Sequence, residues 1–389
     1  MDLNSAFSKK ICNRCIYDSD IPGISFDENG ICNYCKQVEK LSIDYGTGDQ
    51  KGQLMLKDII DKIKKRGRNK KYDCVIGVSG GTDSSFLLLK AKEWGLRPLA
   101  VHYDNTWNSA IATENIRKVT NSLKIDLFTY VVNNKEADDI FRAFFLAAVP
   151  EFDASTDLGF TQVLRKTAAK YKIKYIFEGH SFIAEGITPQ RNNYFDGKYI
   201  KDIHKKYGNL KMKTYPLMSF FQFMKWVLIY RQKFIRPLWY IEYSKPLAKE
   251  ILKKETSWED YGGHHLENRS AAFVHKIYHP QKFGLDNRNW SLAAEARSGV
   301  IDREEALKIY NTPLELDSEL VEYVKKRLEL TDKEYDKIMN GTKRFFRDFK
   351  TYKKRFERLR PLFNILAKAN LVPMSFYLKY CFPLPNETK

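Results

Sequence analysis

Residues 75–85, VIGVSGGTDSS, constrain this chain more than any other segment. An apolar run ends in Ser79-Gly80-Gly81-Thr82-Asp83-Ser84-Ser85 and passes directly into FLLLKAKEW, which reads as a helix. Two glycines let the backbone turn sharply and lie close to a ligand. The helix start beyond them offers unpaired N–H groups and the positive end of the peptide dipoles, so anions bind there. Ser79, Thr82, Ser84 and Ser85 add hydroxyl donors. Asp83 is the odd residue, because a carboxylate repels phosphate unless it caps the helix or holds Mg²⁺ between phosphates. A plain Gly-Gly turn with an Asp or Ser cap is the simpler alternative.

The flanking pattern repeats the strand–helix theme. Residues 73–79, 98–103, 127–132 and 174–178 read as strands, with helices at 82–94, 108–123, around 138–148 and at 161–171. Apolar strands separated by helices predict an α/β fold with a parallel sheet covered on both faces. The whole SGGTDSS string at the first strand–helix junction resembles the SGGxDS signature of the PP-loop ATP pyrophosphatases. It lacks the Gly-Lys-Ser/Thr ending of a Walker loop. The resemblance implies a PP-loop (adenine nucleotide alpha-hydrolase-like, HUP) domain whose loop holds the β- and γ-phosphates of ATP, which leave together as pyrophosphate. It further implies adenosine near the end of the second strand, where Asp104 and Asn105 stand, and a Gly-His loop over the α-phosphate, here Gly179-His180. Ligands of open α/β sheets bind at such strand ends. Both pairs read equally well as ordinary turn and loop residues.

Cys12-Asn13-Arg14-Cys15 and Cys32-Asn33-Tyr34-Cys35 form two CxxC pairs. Each pair offers two thiolates to one ion, which predicts a closed, structural Cys₄ zinc site. Four thiolates also suit an iron–sulfur cluster. The N-terminus has no apolar run behind its lysines, and no stretch is long and apolar enough to span a bilayer, so a cytoplasmic protein is expected.

Three regions follow. Residues 1–50 read as a zinc-ribbon-like module with little helical periodicity, and 51–205 as the PP-loop domain. Residues 206–389, aromatic, basic and mostly helical, read as a separate helical region or an extension packed against the sheet.

Further segments resemble the N-acetyl sugar amidotransferases of bacterial surface-polysaccharide and flagellin-sugar pathways. These are CNRC…CNYC, VHYDNTWNS, Ser155-Thr156-Asp157, EGHSFIAEGITP, residues 260–267, YHPQKFGLDNR and SGVIDREEAL. One departure is that YGG is followed here by His264-His265-Leu266-Glu267-Asn268, where the family pattern has Lys-His-His-Glu-Ser. The resemblance implies that an acetamido oxygen of a nucleotide-linked N-acetyl sugar attacks the α-phosphate of ATP, and that ammonia then displaces AMP to leave an acetamidino sugar. It makes Asp83 the leading Mg²⁺ ligand and catalytic residue beside His180, with Asp157 and Glu185 as further acids. His264, His265 and Glu267 become candidates for substrate contact or proton transfer, and Thr156, Asp157, Glu185 and Arg288 for substrate binding. Residue 2 is Asp, and neither Cys74 nor Cys381 sits in a glycine-rich nucleophile turn, so ammonia is expected from a separate glutaminase subunit.

A formal net charge of +18 calls for anionic partners. The stretch 342–360, TKRFFRDFKTYKKRFERLR, is strongly basic with aromatics near helical spacing. It reads as a helix packed on the core, as an RNA-binding segment, or, together with the aromatic stretch 215–241, as a peripheral contact with the anionic inner face of the cytoplasmic membrane. A tRNA-modifying PP-loop enzyme of the thiolase kind is the alternative function, favoured by the charge and the Cys₄ motif. A non-catalytic nucleotide-binding scaffold is a third.

Overall fold

The computed structural model describes residues 9–187, 194–262 and 267–383. Helices α1 (Asn33–Tyr45) and α2 (Gln50–Gly67) lead into β1 (Cys74–Val78), α3 (Thr82–Glu93), β2 (Pro98–Asp104), α4 (Ala110–Ser122) and β3 (Leu127–Val131). Then come α5 (Asn134–Ala147), α6 (Ala154–Lys170), β4 (Tyr175–Phe177), α7 (Gly197–Tyr207), α8 (Phe220–Met224), β5 (Lys233–Ile235) and α9 (Lys245–Thr256). The strands form one parallel sheet in the order β3-β2-β1-β4-β5.

Side-chain alternation along β1 explains the two cores. Val75 joins Leu99 and Val101 under α5, α6 and α7, against Ile140, Phe144, Val163 and Tyr199. Cys74, Ile76 and Val78 face the other way, onto Ile60, Leu87, Val119 and Leu252 of α2, α3, α4 and α9. A strand buried on both faces must be apolar throughout, and CVIGV is. Gly77 is the position without a side chain because Phe160 of α6 lies there: a Cβ would come 2.2 Å from its ring.

One sequence expectation changes, and one choice the sequence left open is decided. Helix α1 occupies the part of the N-terminal module that showed little helical periodicity; it starts at the second CxxC, where the Cys32 side chain accepts from the Cys35 N–H. The boundary near residue 205 does not isolate a helical region. β5 continues the sheet beside β4, and α9 joins the core over α3, so this portion is an extension packed on the sheet.

Beyond α9 the chain is helical: α10 (Arg269–Phe273), a π-helical stretch (Val274–Phe283), α11 (Arg288–Ser298), α12 (Arg303–Asn311), α13 (Ser318–Arg327) and α14 (Asp332–Asn340), then α15 (Lys353–Arg358), α16 (Arg360–Lys368) and α17 (Met374–Tyr380). Arg327 ties this region to the sheet. Its guanidinium meets both Asp138 oxygens at 3.1 Å, donates to the Thr106 carbonyl at 2.6 Å and lies 4.0 Å from the Trp107 ring centre. The basic stretch 342–360 is not one helix: Phe346, Phe349 and Phe356 are buried, and a 3₁₀ turn (Phe346–Asp348) precedes α15. No helix among the described residues is long and apolar enough to cross a membrane.

Candidate active site and metal centre

Strand order reverses between β1 and β4, and at that point the carboxyl ends of two adjacent strands splay their loops apart to leave a crevice. The loop after β1 and the Gly179-His180 turn after β4 meet there. Gly80 has φ +82°, and a Cβ on it would lie 2.0 Å from the Ala112 carbonyl oxygen, so only glycine fits. The Trp258 indole N–H holds the Gly80 carbonyl at 3.0 Å. Gly179 lies against the loop backbone, its Cβ position 3.1 Å from the Asp83 carbonyl carbon. Gly81 is the N-cap of α3 and carries no side-chain cap, so the simpler reading of Asp83 as a capping residue does not hold.

Asp83 instead turns towards β4 and α9. Its carboxylate accepts from the Tyr243 hydroxyl, and Lys245 Nζ lies 3.5 Å from its other oxygen. The same ammonium stands 3.6 Å from Glu185. Burial works against a charged Lys245, but Asp83, Glu185 and Glu267 outweigh it and hold its pKa above the ordinary value. Three carboxylates thus converge on one ammonium. Beside a phosphate loop, such an acid excess suits Mg²⁺, which takes carboxylates together with phosphate oxygens.

His180 is governed by its surroundings. Burial, then Arg236 and Lys245, push its pKa down to about 3, so it is neutral at physiological pH. Its Nδ1 accepts from the Trp239 indole N–H at 3.2 Å, which places the proton on Nε2, 3.9 Å from Glu185. A neutral imidazole with that tautomer donates a hydrogen bond and is a poor base.

On the β2 side of the loop a cavity of about 400 Å³ opens beside Ser79. Asn105, Thr156, Asp157 and Glu267 line it, so Asn105, expected beside the adenosine, shares this cavity with residues expected near the substrate. The Asn105 amide donates to the Thr156 hydroxyl at 3.2 Å. His275, His279, Asn287 and Trp290 line it too, with the Asn287 amide 2.8 Å from Nδ1 of both histidines. Among the described residues around it there are four carboxylates (Glu151, Asp153, Asp157 and Glu267) and no Lys or Arg.

Two candidates stand apart. Asp104 accepts the Thr106 N–H at 2.7 Å within a turn and does not line the cavity. Arg288 pairs with Asp286 and donates to the carbonyls of Ile309, Tyr310 and Thr312, which fastens α11 to the end of α12 rather than facing the site. His264 and His265 lie outside the described residues. Sequence reasoning missed Lys245 and Tyr243. The available signal was Lys245-Pro246, since proline within the first turn marks a helix start and so places Lys245 at the front of α9.

The four N-terminal cysteines are buried, and their sulfurs lie within 4.8 Å of one another. Cys12–Cys35 and Cys15–Cys32 are each separated by 3.8 Å. Four sulfurs held 2.3 Å from one tetrahedral ion stand about 3.8 Å apart, so the set fits a single ion and is too tight for a cluster whose ligands sit on different irons. Arg297 Nε donates to Cys35 Sγ at 3.2 Å, and Arg303 Nε to the Cys12 carbonyl at 2.9 Å. These arginines bind α11 and α12 to the module.

The parallel sheet with SGGTDSS at its switch point defines a PP-loop α/β protein. Residues 267–361 match the family described as LPS biosynthesis protein WbpG-like, C-terminal domain. An uncharacterized protein of Methanocaldococcus jannaschii is 29% identical over 171 residues, which is 43% of this chain. The match spans 58% of that relative's length. Among solved structures, NMN synthetase of Francisella tularensis is similar at 12% identity and a TM-score of 0.31, covering 77% of this chain and 95% of that one. The NH₃-dependent NAD synthetase of Campylobacter jejuni is similar at 12% identity and a TM-score of 0.27, covering 75% and 98%. The PP-loop assignment rests on the sheet and loop, not on these likenesses.

Proposed function

We propose that the chain is an AMP-forming synthetase that turns the acetamido group of a nucleotide-linked N-acetyl sugar into an acetamidino group, in the synthesis of lipopolysaccharide or a flagellin glycan. The coarse reading, an ATP-using enzyme of polysaccharide synthesis, draws support from the phosphate loop together with the WbpG-like domain. The observation that carries the finer one is the cavity beside that loop. Its wall combines carboxylates, amides and imidazoles with the aromatic faces of Tyr103, Phe160, Phe195 and Trp290, and lacks Lys and Arg among the described residues. That suits an uncharged ring with hydroxyls on one side and an apolar face on the other, and disfavours phosphate. The charged carrier then stays outside it.

In this reading the sugar's acetamide oxygen attacks the α-phosphate and pyrophosphate leaves from the loop. The amide gives up its N–H proton, and the product is an O-adenylyl imidate. Ammonia adds to the imidate carbon, AMP departs, and the amidine remains. An amide oxygen is a weak nucleophile, so positioning and stabilisation of the departing charge must supply most of the rate. Loop amides of residues 80–85 and Lys245 face the pyrophosphate. His180 donates from Nε2 towards the α-phosphate, and Asp157 and Thr156 orient the ring. Asp83, with Glu185 near, would hold Mg²⁺, which would neutralise phosphate charge. Zinc occupies the Cys₄ site, and a partner glutaminase delivers the ammonia.

The tRNA-modifying alternative gains nothing from the site. Its sulfur chemistry calls for cysteines at the loop, yet Cys74 is fully buried inside β1 and Cys381 lies in the C-terminal helical core. Incubation with ATP, ammonium and UDP- or CMP-N-acetyl sugars tests the proposal. Mass spectrometry is expected to find the acetamide oxygen of one sugar replaced by nitrogen, with equal AMP and pyrophosphate. If no N-acetyl sugar elicits AMP, the substrate class is wrong.

A further inference from the structure

The segment 220–230 has an unusual surface. α8 and the π-helical turn that continues it (Lys225–Ile229) bury Phe220 and Val227 against the helical C-terminus, and the buried Trp226 donates its indole N–H to Gln162 of α6 at 2.8 Å. On the outside, Phe221 is 76% exposed and Ile229 72%, with Leu228 and Tyr230 also exposed. Phe221, Lys225 and Ile229 follow at intervals of four, so they share one stripe. Cations flank it: Lys225 and Arg231 are exposed, Lys225 Nζ lies 5.7 Å from the Tyr230 ring, and the exposed Arg355 sits 5.9 Å from the Phe221 ring. Lys354 and Arg358 are exposed on α15 beside it, where the acid Glu357 is paired with Lys353.

Large aliphatic and aromatic side chains are costly in water, and here they stand with the exposed cations Lys225, Arg231 and Arg355. We propose that this face, Phe221, Leu228, Ile229 and Tyr230 with Lys225, Arg231 and Arg355, docks on an anionic lipid surface. The apolar side chains enter the headgroup boundary and the cations meet lipid phosphates. Charge complementarity selects the anionic leaflet. The aliphatic component favours lipid over RNA, because Leu228 and Ile229 neither stack on bases nor contact phosphates. From the basic stretch 342–360 this face takes cations such as Arg355 but not the buried aromatics, and it does not depend on the reaction proposed above.

Flotation of the full chain with phosphatidylglycerol–phosphatidylcholine vesicles tests the inference, against pure phosphatidylcholine vesicles and an RNA homopolymer. Binding to the anionic vesicles alone is expected. Phe221→Ser with Ile229→Ser is expected to weaken it on the order of a hundredfold. Lys225→Glu with Arg231→Glu is expected to abolish preference for the anionic lipid. All four side chains are exposed, so an unchanged melting temperature with ATP checks the fold. The inference fails if the serine variant binds vesicles like the parent, if neutral vesicles bind equally, or if RNA binds and vesicles do not. It fails too if vesicles do not bind and the serine variant instead dissolves a dimer seen by size exclusion.

Discussion

Asp83→Ala is expected to lose AMP and pyrophosphate formation on the order of a thousandfold while keeping its fold. Asp83 sits in the first turn of α3, where its charge also favours the helix dipole, so the stability cost stays near 1 kcal/mol. After its removal Lys245 still pairs with Glu185, so no buried charge is orphaned; the buried Tyr243 hydroxyl loses its Asp83 acceptor, which adds about 1 kcal/mol to the cost. Catalysis is more sensitive, because Asp83 is the carboxylate on the phosphate loop itself, whereas Glu185 stands across Lys245 on the segment after β4. Asp83→Asn separates the two roles of the group. It can still accept from Tyr243 but cannot hold Mg²⁺ with the same strength, and an equal loss is expected. Near-normal turnover in either variant, measured as pyrophosphate release with sugar and ammonium present, would remove Asp83 from the chemistry.

The second large effect lies at the cysteines. About one zinc per chain is expected by elemental analysis, and stripping it, or Cys12→Ser, is expected to unfold the N-terminal module. A structural zinc contributes roughly 10–16 kcal/mol, comparable to the 5–15 kcal/mol that stabilises a typical domain. The damage should spread along a definite path. Arg297 and Arg303 join the module to α11 and α12, and α11 carries Trp290 into the cavity wall. Hydrogen exchange is therefore expected to rise in 9–45 and in 288–311 together, while β1 to β3 stay protected. Exchange confined to the module would break that link, and iron in place of zinc would overturn the metal assignment.

The expected strands correspond to β1 to β4 within a residue or two, each standing between helical patterns. Strands β1, β2 and β4 show because buried parallel strands are apolar runs, and the half-exposed edge strand β3 shows through its aromatic and β-branched residues. The loop was legible for the same reason, since its chemistry is local. What the sequence hid was non-local. Lys233-Phe234-Ile235 has no apolar run of its own and becomes a strand through pairing with β4. Lys245 is one lysine in a basic chain until α9 brings it opposite Asp83. His275, His279 and Trp290 reach the cavity only through the packing of the C-terminal helices, and Arg288, read as facing substrate, turns to neighbouring carbonyls instead.

Every step of the chemistry depends on a triphosphate lying across the switch point with its terminal phosphates in the turn after β1. A crystal structure with Mg²⁺ and an ATP analogue blocked between the α- and β-phosphates examines this directly. The β- and γ-phosphates are expected against the backbone N–H groups of residues 80–85, with the cation between them and Asp83. A triphosphate bound elsewhere, with that turn empty, would contradict it.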